Sequence, residues 1–141
     1  MMKKDKDLLK TLAEALSSID DQILYYFDTK KKEVVKFALD LHHLQKTDDS
    51  LIKIEPIVTD IVDLMEDFAL DQETEIIQEH LTSLLKQKDP KTAMVNFQSA
   101  LIDYPRSQKE WSILFKKWIA DRAKEYVEDY LDSKAQLKLN Q

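Results

Sequence analysis

No glycine occurs in the 141 residues of this chain, where average usage of about 7% would supply roughly ten. Glycine adopts positive φ without a Cβ penalty and lets a backbone approach a ligand closely. The phosphate-cradling Walker loop, the dinucleotide-binding turn and the nucleophile elbow of hydrolases all depend on it, so none of the three fits this sequence. Helices must also stop without the common glycine cap. Their ends should be legible in Asp, Ser, Asn and Pro.

Cysteine is absent as well. That removes disulfides, thiolate metal sites and thiol nucleophiles together, and it points to an intracellular, cytoplasmic protein. Lys10, Thr11 and Glu14 interrupt the apolar run of residues 8–16, so no signal-peptide core is present there. No stretch reaches the roughly 18 to 20 consecutive apolar residues of a membrane-spanning helix. Hydrophobic residues make up 43% and charged residues 34%, which is apolar enough to offset the entropy of folding. The length fits one domain, residues 1–141, with 1–4 and 133–141 frayed.

Periodicity predicts a mostly helical α+β fold of about five helices, with a small antiparallel sheet of about three strands in the N-terminal half. Leu8, Leu9, Leu12, Ala13 and Leu16 recur at helical spacing within residues 5–18. Two aromatic and β-branched runs, residues 22–27 and 33–37, flank a polar turn and read as a β-hairpin. Without glycine, a loop of about three to five residues around 29–32 is favoured over a two-residue type I′ turn. Residues 38–50 are ambiguous between a short helix and an irregular crossing. Residues 51–54 read as a third strand, ended by Glu55 and Pro56.

The remainder reads as helix. Ile57, Ile61, Leu64, Met65 and Phe68 form the inner stripe of a helix reaching about Leu70. Asp71 is the expected N-cap of the next, whose stripe is Ile76, Ile77, His80, Leu81, Leu84 and Leu85. Asp89 before Pro90 starts a fourth helix with Met94, Phe97 and Leu101 inward. Tyr104, placed before Pro105, ends it. Residues 107–110, Ser-Gln-Lys-Glu, form a capping box for a last helix running to about Leu131. Trp111, Leu114, Phe115, Trp118, Ile119, Tyr126, Val127 and Tyr130 line one side of it.

These motifs, in this order, resemble a family of small bacterial proteins, uncharacterised protein family one-five-eight. Residues 25–28 (Tyr-Tyr-Phe-Asp) followed by Glu33 and Val34 are similar to its hairpin. Residues 54–56 (Ile-Glu-Pro) and 64–68 (Leu-Met-Glu-Asp-Phe) are similar to its strand, proline and "MEDF" helix, and residues 97–101 and 111–115 to its two aromatic helix motifs. The likeness spans about residues 5–132. Lys32 stands where that family has glycine, and Asp89 and Pro90 replace a glycine-containing turn. The resemblance implies a shared fold and carries no activity or catalytic residues with it.

Charge is segregated along the chain. Residues 55–80 hold nine acidic side chains (positions 55, 60, 63, 66, 67, 71, 73, 75 and 79) and no Lys or Arg. Residues 86–124 hold nine basic side chains (86, 88, 91, 106, 109, 116, 117, 122 and 124) against four acidic ones (89, 103, 110 and 121). Either acidic helices pack beside basic ones and neutralise each other at the rims, or the acidic surface faces a partner.

Asp60, Asp63 and Asp67 sit at helical spacing and offer oxygen ligands of the kind magnesium or calcium takes. No EF-hand loop accompanies them, and His80 lacks the Glu-x-x-His spacing of a di-iron bundle, so no metal is assigned. His42 and His43 are adjacent and point apart; a solvated loop accounts for them. A solvent-facing row of carboxylates cannot separate two pKa values for acid–base work, and no serine has an evident base. No catalytic residue and no cofactor site is assigned.

The preferred reading is therefore a non-enzymatic protein-interaction or regulatory module that binds another protein or itself. Its partner-binding candidates are Lys30, Lys31, Lys32, Asp60, Asp63, Asp67, Lys116 and Lys117. The second reading is a weak nucleic-acid-associated regulator using the basic hairpin tip and last helix; the net charge of −6 argues against it. The third is a metal-dependent hydrolase on the acidic helix.

Overall fold

The computed structural model describes residues 3–38, 50–86 and 89–131. Its elements run α1 (Lys3–Leu16), β1 (Ile23–Asp28), β2 (Glu33–Ala38), β3 (Leu51–Ile54), α2 (Val58–Leu70), α3 (Glu75–Leu84), α4 (Pro90–Ala100), a 3-10 turn (Leu101–Asp103), α5 (Pro105–Tyr126) and a π-helical turn (Val127–Leu131). The predicted architecture is present: five α-helices among the described residues and a three-stranded antiparallel sheet. His42, His43 and most of the ambiguous segment 38–50 lie outside the described residues, as does the tail from Asp132. The chain divides into two compact units, Met1–Pro56 with Trp118–Gln141, and Ile57–Lys117.

In the first unit β1 is the central strand, antiparallel to β2 on one side and β3 on the other. Tyr25, Tyr26 and Phe27 are all buried in succession, so β1 is covered on both faces. Tyr25 and Phe27 share a face with Ile52 and Ile54 of β3, and the Tyr25 hydroxyl reaches Glu14 of α1 at 3.5 Å. Lys36 Nζ donates to the same Glu14 carboxylate at 3.1 Å. That bond and charge hold the Lys36 ammonium above its ordinary pKa, so this exposed link persists below that value and is lost in strong alkali.

The hairpin loop is four residues, 29–32, between the two strands. Asp28 Oδ1 accepts from the backbone N–H of Lys30 at 2.9 Å and of Lys31 at 3.1 Å, the Asx device that builds turns without glycine. The chain then needs one left-handed residue. Lys32 supplies it at φ 57°, the one positive φ among the described residues. At that position the resembled family carries glycine.

In the second unit α2, α3 and α4 pack around Ile61, Met65, Phe68, Leu81, Met94, Phe97 and Leu101, all buried. Trp111 of α5 completes an edge-to-face trio, its ring 5.3 Å from Phe68 and 5.2 Å from Phe97, with Phe68 and Phe97 6.2 Å apart. Such geometry sets the positive edge of one ring on the negative face of the next and adds about 0.5–1.5 kcal/mol per pair beyond area burial. Asp89 caps α4 as predicted, accepting from Lys91 N–H at 3.3 Å and from the Thr92 hydroxyl at 2.6 Å. The Thr92 bond chiefly holds this exposed carboxyl below its ordinary pKa, so the cap acts above the ordinary carboxylate range and is released on acidification.

Four sequence expectations are corrected. Asp71 is not the N-cap of α3: its N–H closes the end of α2 on Asp67 O and Phe68 O, and Thr74 caps instead, its hydroxyl accepting from Ile77 N–H at 3.4 Å. Ser107 is not a capping residue either. Pro105 already has the φ a first helical position needs, so α5 begins two residues earlier, and the Ser107 hydroxyl is buried and donates to Gln72 Oε1 at 2.7 Å. Ile76 and Leu114, assigned to inner stripes, are 78% and 40% exposed. Trp118, assigned to the core, is half-buried, with the Arg122 guanidinium 5.4 Å from its ring centre.

Candidate protein-docking face

A half-open groove of about 520 Å³ lies between the α2–α3 connection and the start of α5. Several of its polar groups bond to one another. Besides the Ser107 bond, Gln72 Nε2 donates to Phe68 O at 3.0 Å and Gln78 Nε2 donates to Gln72 O. Arg106 lies 3.4 Å from Glu110 and 3.8 Å from Glu73. These bonds tie the α2–α3 connection to the first turn of α5. His80, expected partly buried, is exposed; its Nδ1 is hydrogen-bonded to the Tyr104 hydroxyl at 2.7 Å, with the ring edge-on to Tyr104.

Asp60, Asp63 and Asp67 lie along the outer side of α2, all exposed. Among the described residues, no group of three or more His, Asp or Glu side chains is arranged to hold a metal ion. Lys30, Lys31 and Lys32 are exposed at the hairpin tip of the first unit, whereas Lys116 and Lys117 are exposed on α5 in the second. Of the last-helix cations that the nucleic-acid reading draws on, Lys116 and Lys117 belong to the second unit, and Arg122 and Lys124 to the first, with the hairpin lysines.

Among the described residues, few ion pairs reach the acidic segment. Every acidic side chain of residues 55–80 is exposed. The ion pairs that this segment makes among the described residues are Lys53 with Glu55 and Arg106 with Glu73, at 3.4 and 3.8 Å, both in solvent, a setting in which a pair contributes about 0–1 kcal/mol.

What the residues do bring together is a face. Six large apolar side chains are exposed among the described residues: Leu70, Ile76, Val95, Ile102, Ile113 and Leu114. All six belong to the second unit. On α5, Lys109, Ile113, Lys116 and Lys117 follow at i, i+4, i+7 and i+8 and so share one side of the helix, with Leu114 beside them. Ile113 is 65% exposed. On α2, Asp60, Asp63, Asp67 and Leu70 share a side in the same way, with Leu70 58% exposed. Sequence reasoning named the lysines and aspartates but missed Ile113. The signal was its place two residues past Trp111, off the buried stripe and followed by Lys116 and Lys117.

No helix among the described residues is long and apolar enough to cross a membrane. No curated protein and no solved structure matches the chain. One family profile does, over residues 7–139, the same family to which the hairpin, strand–proline and "MEDF" motifs pointed. That span is nearly the whole chain, and the chain belongs to the Uncharacterised protein family (UPF0158).

Proposed function

We propose that this chain is a non-enzymatic protein-binding module of the cytoplasm whose docking face is the outer side of α5 around Ile113, Leu114, Lys116 and Lys117. The observation that carries the reading is that the exposed large apolar side chains fall in one unit of the molecule and are bracketed on α5 by lysines. Scattered exposed apolar residues are ordinary on any surface. An apolar pair ringed by charge on one rigid helix is how interfaces are built, with an apolar centre and a polar rim.

The test is site-specific photo-crosslinking in living cells from position 113, with exposed Ser99 on α4 as the control. A discrete adduct from 113 and none from 99 supports the reading. If neither position yields an adduct, or both do equally, it fails.

A further inference from the structure

We infer that the occupant of the α5 face is the α2 face of a second copy of this chain, so that copies associate head to tail; this rests on the docking reading above. The two faces are complementary in charge. The α5 face presents three cations, Lys109, Lys116 and Lys117, around exposed Ile113 and Leu114. The α2 face presents three carboxylates, Asp60, Asp63 and Asp67, beside exposed Leu70. Among the described residues none of these six charged side chains has an ion-pair partner within its own chain, so each face meets solvent with its charge unanswered.

Symmetry decides how such copies meet. Pairing like with like, α5 on α5, sets Lys116 and Lys117 against their own counterparts, and α2 on α2 does the same with aspartates. A twofold contact of either face with itself is repulsive at its centre. The attractive contact joins the α5 face of one copy to the α2 face of another; made head to tail, it leaves one α5 face and one α2 face free on the pair, from which a closed ring or an open chain can grow. Opposite charges at such a rim favour correct register and speed encounter more than they deepen affinity, so the association is salt-sensitive, with the apolar side chains supplying the part that salt does not screen.

Sedimentation velocity of the full chain tests this, at about 0.1 mM protein, where a micromolar interaction is saturated. The wild type is expected to sediment faster than a monomer in about 0.02 M salt and to associate at least about tenfold more weakly in about 0.5 M salt. One variant carries Lys116→Glu with Lys117→Glu, the other Asp63→Lys with Asp67→Lys. All four positions are exposed, and far-UV circular dichroism checks that both variants fold. Each alone should be monomeric. An equimolar mixture should associate again, because one variant keeps the native acidic face and the other the native basic face.

A wild type that stays monomeric at every salt concentration overturns the inference, as does a mixture that fails to reassociate. Should a variant not fold, the wild-type salt series decides alone: association that salt does not weaken overturns it. A monomeric wild type that still gives a crosslink to a different protein from position 113 overturns the inference and leaves the docking reading standing. Loss of every crosslink overturns the docking reading as well.

Discussion

The two units handle the same problem, how to cover apolar side chains without glycine to shape tight connections, and end in different states. In the sheet unit the central strand hides Tyr25, Tyr26 and Phe27, β3 turns Ile52 and Ile54 inward, and among the described residues no large apolar side chain is left exposed. In the helical unit the interior is filled just as completely by Phe68, Phe97 and Trp111, yet six large apolar side chains face solvent. Both units bury an apolar interior. The difference lies in the surfaces, and it places the exposed apolar side chains on helices 57–117. A core needs one stripe per helix, and a second apolar position off that stripe adds nothing to the fold.

The comparison of interiors can be broken with two aromatic truncations. Phe97 is fully buried among Phe68 and Trp111, so Phe97→Ala should destabilise by about 3–5 kcal/mol in urea unfolding. Trp118 is half-buried and meets Arg122 through its ring face, so Trp118→Ala should lose only about 1–2 kcal/mol. Equal losses would mean that the C-terminal half of α5 is as deeply packed as the N-terminal half.

The connection inside the helical unit gives the next largest effect. If Ser107 were a helix cap, Ser107→Asp would be neutral, since aspartate caps as well as serine. In the structure the position is buried and faces a carbonyl oxygen, Gln72 Oε1, where a carboxylate is repelled and desolvated. Ser107→Asp should therefore destabilise by about 3 kcal/mol at neutral pH. The defect should shrink on acidification, because a buried acid's pKa rises in the folded state and protonation then favours folding. A thermal melt at neutral and at acid pH separates the two accounts.

How much was legible follows from what each signal depends on. The hairpin, the third strand, the Asp89–Pro90 start and the stripes of α2 and α4 rest on local spacing, and the structure places them where the sequence puts them. The failures are matters of competition between signals, some local and some tertiary. Asp71 is as good a cap as Thr74 by residue type, and the end of α2 claims its N–H first. Ser107 has the spacing of a capping box, yet Pro105 opens the helix and Gln72 takes the hydroxyl. Ile76 and Leu114 match a stripe by arithmetic but fall at its margin, where the neighbouring helix decides burial. The candidate face was half legible: charge runs announce its rim, but which apolar side chain stays outside depends on packing.

In the sheet unit the corresponding weak point is the turn. Asp28→Ala removes the acceptor of two backbone N–H groups, those of Lys30 and Lys31, and both can turn to water. The expected loss is about 1 kcal/mol, at the level of one net hydrogen bond. Amide exchange at Lys30 and Lys31 should rise together, while exchange in the helical unit stays unchanged if the two units open independently. Coupled acceleration in residues 57–117 would show instead that they unfold as one.

Lys32 gives the smallest effect and the opposite sign. A side chain with a Cβ at φ 57° sits in a left-handed conformation that costs about 1–2 kcal/mol relative to right-handed backbone. Glycine removes that strain but has more freedom to lose on folding, by about 0.5–1 kcal/mol. The balance predicts that Lys32→Gly stabilises the chain by about 0.5 kcal/mol, seen as a higher urea midpoint at unchanged slope. Lys32→Val should go the other way, since a β-branched residue is least suited to positive φ. A loss on Lys32→Gly would mean that the lysine side chain is held by interactions that offset its backbone. The hairpin tip would then be a supported basic surface, and the sheet unit would carry a candidate face of its own.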